Sequence, residues 1–221
     1  GAKAIRTLPV VMGGLSVKRL IAVGASQSAG RLGFYLNSVE PLTKIYDAAL
    51  LSVGGPTMRT DLSLPIIKVL SETELAVAST NEIPRLQADT NNFRIWMMPG
   101  ASHADNYGLA ARSVALLRDA NIVMGDSCDY PSRSRYPYRY VYNSAIVKLE
   151  QYLDKGTPLP QANPMVILTA NPPTVGRDAY GNALGGVRMP ENDAPIAMFQ
   201  GGNSGAGMCF LNGTHVQFSK G

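Results

Sequence analysis

Short apolar runs, each ending in small or polar residues, recur along the first hundred positions. Leu20-Ile-Ala-Val-Gly24 leads into Ala25-Ser26-Gln27-Ser28. Ala48–Val53 is a second run, and Pro65–Leu70 a third that ends in Ser71-Glu72-Thr73-Glu74. Phe93–Met98 is a fourth, followed by Pro99-Gly100-Ala-Ser-His103-Ala-Asp105. Continuous apolar runs of this length read as strands buried on both faces, the pattern of a parallel sheet covered by helices. After the first run, Leu32, Tyr35, Leu36 and Val39 recur at helical spacing. The chain is therefore expected to be α/β, with the four runs as neighbouring, mainly parallel strands joined by right-handed crossovers. Two further helices are predicted, over Leu109–Arg118 and Ser144–Lys155. The second carries an apolar stripe of Ile146, Val147, Leu149, Tyr152 and Leu153, with Gly156 as its C-cap. Prolines at 158, 160, 164, 172 and 173 then interrupt the chain around a short strand, Met165–Leu168.

A strand, a sharp turn with a serine at its apex and a following helix are the setting of a nucleophile elbow. Small residues at 24, 25, 28 and 29 let strand and helix pack closely around Ser26. The helix N-terminus offers unpaired N–H groups, that of Gln27 first, to a developing oxyanion. Ser28 replaces the second glycine of Gly-x-Ser-x-Gly, so the motif is a variant. A carboxylate and a histidine follow, each just past the end of a predicted strand, in the chain order Ser, acid, His. In an open parallel sheet such strand ends share one edge. His103, one of two histidines in the chain, stands in a Gly/Ser loop rather than on an apolar face. Two glutamates compete for the acid. Glu72 lies closer to the strand end, and Glu74 stands two residues beyond it. Asp47 is a weaker third candidate, since it stands at the opposite end of its strand.

These residues resemble the α/β-hydrolase superfamily. More narrowly they resemble a bacterial α/β hydrolase domain family with a Gly-x-Ser-Gln-Ser elbow, a Ser-Glu-Thr-Glu acid turn and a Ser-His-Ala-Asp histidine turn. The resemblance continues through Cys128–Pro131, Leu153–Pro158 and Arg177–Arg188, and so covers nearly the whole chain. It implies a carboxylester hydrolase. Ser26 would form an acyl-enzyme, His103 would act as general base and Glu74, in preference to Glu72, as orienting acid, with the Gln27 N–H in the oxyanion hole. An acyltransferase with the same triad and a catalytically silent hydrolase-fold scaffold are the alternatives. Hydrolases of this fold place several strands before the elbow, and here 25 residues precede Ser26. The first strands and the second oxyanion donor are thus expected on more polypeptide, either upstream on the same precursor or on a second chain. Residues 1–155 are expected to be the C-terminal half of the catalytic domain. Residues 156–221, rich in Pro and Gly, are expected to be a loop-and-strand extension that covers the sheet edge of that domain; the alternative is a part in the substrate pocket, through Arg188 or Asn203.

Composition narrows the partners. Hydrophobic residues are 45% and charged residues 16% of the chain, and no apolar run approaches the ~20 residues of a membrane span. The +4 net charge would belong to a fragment and says little of the whole. Tyrosines at 130, 136, 138, 140 and 142 alternate with Arg133, Arg135 and Arg139, a pattern that nucleic-acid binders use. The stretch is short and holds two prolines, so a packed or pocket-lining loop is expected and no nucleic acid. The Asn212-Gly-Thr214 sequon is discounted because the resemblance is bacterial. No metal or other cofactor is expected, and the expected ligand is a small-molecule ester. Cys128 and Cys209 would pair in an exported or periplasmic protein and stay free thiols in the cytosol; localisation is open.

Overall fold

The computed structural model describes residues 1–131 and 133–219. Each of the four apolar runs forms a strand: β1 (Ile21–Ala25), β2 (Ala48–Ser52), β3 (Ile66–Ser71) and β4 (Phe93–Met98). They are hydrogen-bonded in the order β1-β2-β3-β4 as an all-parallel sheet. Ile21 pairs with Ala48 and Ala49 with Ile66. Every residue of β2, β3 and β4 is buried, as continuous apolar runs require. β1 departs from that expectation. Its burial alternates, and Val23 is 59% exposed. Among the described strands β1 pairs with β2 alone, and its buried Gly24 faces the following helix. A Cβ on Gly24 would lie 2.7 Å from the Ser28 carbonyl oxygen, so only glycine admits so close an approach.

The helices are α1 (Ala2–Thr7), α2 (Gln27–Ser38), α3 (Glu40–Thr43), α4 (Thr73–Ala76), α5 (Asn106–Ala120), α6 (Arg139–Lys155) and α7 (Pro190–Asp193). α2 buries Ala29, Gly33 and Leu36, while Val39, expected on that face, is 39% exposed beyond the helix end. α6 starts five residues before its predicted first turn and absorbs part of the tyrosine run. Its buried positions are Val141, Ala145 and Leu149, one per turn, and Val147 is exposed instead. Gly156 ends this helix with φ +66°, its N–H bonded to the Tyr152 carbonyl at 2.9 Å. The short strand predicted at Met165–Leu168 lies two residues later, as β5 (Ile167–Ala170). Met165 instead bridges Gly185.

The chain divides into two compact units. One comprises Gly1–Val69, Arg85–Ile95 and Tyr142–Gln161; the other comprises Leu70–Pro84, Trp96–Val141 and the residues from Ala162 on. In the first unit two buried cations bond to backbone oxygens. Lys68, 1% exposed, donates Nζ–H to Gly55 at 2.8 Å, and Arg94 donates Nε–H to Leu159 at 2.9 Å. In the second unit two antiparallel hairpins, β5 with β6 (Pro173–Val175) and β7 (Ala197–Gln200) with β8 (Thr214–Gln217), accompany α5. Cys128 and Cys209 form a disulfide there, 81 residues apart in sequence. The extension expected at 156–221 ends in residues 220 and 221, which lie outside the described residues. No helix among the described residues is long and apolar enough to cross a membrane.

Candidate active site

Ser26 stands between β1 and α2 with φ 55° and ψ −124°. An L-residue holds such a conformation only where its surroundings over-determine it. Here its N–H donates to the Ser52 carbonyl at 2.8 Å, and its own carbonyl accepts the Gly30 N–H at 3.2 Å. The side chain is left exposed at a strand end. Gln27 opens α2, so its N–H belongs to the first turn, where helices lack internal acceptors.

In the second unit, the turn that closes β3 carries the two glutamates to different partners. Glu74 is 1% exposed. Its Oε1 lies 2.6 Å from His103 Nδ1. Its Oε2 accepts the Ser71 N–H at 2.8 Å and the Ser71 hydroxyl at 2.7 Å. Both oxygens are engaged, which fixes the carboxylate plane and with it the imidazole. Between the glutamates, Thr73 Oγ1 accepts the His103 N–H at 2.9 Å and donates to the Gly201 carbonyl at 2.5 Å. The histidine is therefore held through its backbone and its ring by one short turn.

Glu72 is fully buried and does not face His103. Its Oε2 accepts the Gly100 N–H at 2.8 Å, and its Oε1 pairs with Arg177 Nη2 at 2.6 Å. It ties the start of the histidine loop to the segment after β6. Asp47 is farther removed in role. Its Oδ2 accepts the Leu20 N–H at 2.7 Å and pairs with Arg6 at 2.6 Å, clamping the N-terminal end of β2. Arg188 pairs with Asp193 at 2.5 Å, and Asn203 bonds to the Tyr130 and Gly213 backbone, so both are engaged in local structure.

Asp105 and Tyr138 were not legible as neighbours of this pair. Asp105 caps α5 by accepting the Gly108 N–H at 2.7 Å, and burial raises its carboxyl above the usual range against that bond. Burial likewise raises the Tyr138 phenol, reinforced by the charge of Asp105, its hydrogen bond to that carboxylate, and the charge of Glu74. The phenol therefore stays neutral near the glutamate. Arg177 and Gly201 were also missed as partners of the acid turn, because they follow it by more than a hundred residues. The only signal was that Arg177 lies inside a distinctive C-terminal segment. Among the described residues no group of three or more His, Cys, Asp or Glu is arranged to hold a metal ion.

A parallel α/β sheet whose first strand runs into a strained serine, with a buried carboxylate–imidazole pair after its third and fourth strands, defines the class as an α/β protein of hydrolase type. A family model described as alpha/beta hydrolase domain matches residues 1–221, and the chain belongs to that family. No curated protein and no solved structure matches the chain.

Proposed function

We propose that the protein is a serine hydrolase that cleaves carboxylic esters. Ser26 Oγ attacks the ester carbonyl while His103 Nε2 takes its proton, and the tetrahedral oxyanion forms against the Gln27 N–H. Collapse expels the alkoxide, which His103 protonates, and leaves an acyl group on Ser26. Water, deprotonated by His103, then releases the acid. Glu74 holds Nδ1–H and stabilises the imidazolium at each stage. The observation that carries the reading is the 2.6 Å contact between His103 Nδ1 and a Glu74 carboxylate whose other oxygen is doubly bonded by Ser71. The φ and ψ of Ser26 support it independently, as does membership of a generally hydrolytic family. Glu72 is read as a structural carboxylate.

The test is labelling with a fluorophosphonate followed by peptide mass mapping. The adduct is expected on Ser26 and nowhere else, and hydrolysis of a short p-nitrophenyl ester should fall in step with labelling. An unlabelled Ser26 in protein that hydrolyses esters would overturn the assignment.

A further inference from the structure

The second unit holds a cavity that none of Ser26, Glu74 and His103 lines. Its volume is about 430 Å³, within the ~300–1,000 Å³ span of small-molecule sites. Leu109, Met124, Met208 and Leu211 give it apolar lining beside the Cys128–Cys209 disulfide, and Arg112 and Arg133 give it charge. No Asp or Glu lines it among the described residues. Asp126, between the lining residues Gly125 and Ser127, accepts the Cys128 N–H at 3.4 Å. Arg133 donates Nη2–H to the Gly125 carbonyl at 2.8 Å, while its Nε is buried with no hydrogen-bond partner among the described residues. A guanidinium on a cavity lined by no acid carries a charge that is uncompensated there, and a carboxylate in the cavity answers it. Thioether and leucine side chains accommodate a flexible hydrocarbon body.

We propose that this cavity binds a small amphipathic carboxylate, an organic acid of medium chain length, with its head on Arg133 and Arg112 and its chain against the Leu and Met lining. It borders the residue after His103, Ala104, and otherwise shares nothing with the proposed triad. The ligand could be the acid part of a substrate or a separate effector. The chemistry of recognition is the same in either case.

Isothermal calorimetry of the full chain with octanoate tests the site without reference to turnover. One-to-one binding is expected, with octanamide at least about tenfold weaker because it lacks the charge. Arg133→Gln should weaken octanoate by about tenfold or more and Arg112→Gln by severalfold. Arg59→Gln, in the first unit and not among the lining residues, should leave binding unchanged. Arg112 is exposed, so its variant keeps the test intact if Arg133→Gln fails to fold. Absent binding, equal affinity for octanamide, or no effect of either cavity arginine would overturn the proposal. Steady-state hydrolysis of a neutral ester then assigns the source of a ligand that does bind. Octanoate raising KM alone identifies substrate chemistry, and octanoate leaving KM unchanged identifies a separate ligand. Failure of the esterase reading would leave the calorimetry untouched, so the two ideas fall separately.

Discussion

Two serines and two glutamates, each pair two residues apart, are assigned opposite roles, and substitution separates them. Ser26→Ala should lower ester turnover by about 10⁴-fold or more while shifting stability by less than about 1 kcal/mol. Ser28→Ala should be mild on both counts. A Ser26→Ala protein that kept most of its turnover would remove the nucleophile. Glu74→Gln should cost turnover on the order of 10³- to 10⁴-fold, since the imidazole loses its orienting anion. Glu72→Gln should act on a different axis. It leaves Arg177 facing a neutral amide and weakens a buried ion pair, at about 3 kcal/mol of stability. Denaturant melts alongside turnover measurements distinguish the two, and equal behaviour on both readouts would mean that neither glutamate has the role assigned. The sequence favoured Glu74 only by its place in the acid turn, and the partners that separate the two carboxylates lay beyond it. Both follow one strand within three residues, and what separates them is a serine hydroxyl on one side and a guanidinium 105 positions away on the other.

At the scale of elements, the strands were legible because burial on both faces demands largely apolar runs, and three of the four strands are buried throughout. β1 was misjudged for a physical reason: an alternating Ala22/Gly24 face looks the same in sequence as a fully buried strand when the outward residue is valine. The start of α6 was hidden by its tyrosines, whose aromatic rings suggest surface recognition until Val141 sets the buried stripe. The contact between β7's end and the acid turn had no local signal at all. There a Cβ on Gly201 would lie 2.4 Å from the Thr73 backbone nitrogen. Gly201→Ala should therefore push the acid turn away from the Gly201 carbonyl, lowering both thermal stability and turnover, whereas Gly30→Ala, where a Cβ meets nothing, should leave both near the parent values. β8 adds a pH dependence. Burial, and then the charge of Arg135, lowers the His215 imidazole below its usual 6.5. The folded state thus binds fewer protons than the unfolded one between that lowered value and 6.5, so stability falls as pH drops through this window. His215→Phe keeps the ring that stacks on Phe199 at 4.8 Å and should lose less stability on acidification than the parent in urea melts at neutral and mildly acid pH.

At the scale of the whole molecule, the Cys128–Cys209 bridge closes a loop of 81 residues that includes Arg177 and Gly201. Constraining the unfolded chain over such a span contributes about 2–4 kcal/mol, so Cys128→Ser should lower Tm by roughly 5–15 °C. A scan with and without reductant on the parent should reproduce that shift. The bridge also makes the polypeptide a lasso. Lys155 and Gly156 are exposed at the end of α6, inside the closed span. A protease that cuts once after Lys155 would therefore yield no smaller particle. The nicked chain should gain only the mass of one water and run as a single species without reductant. Dithiothreitol should then release two fragments, residues 1–155 and 156–221, each carrying one half of the broken bridge.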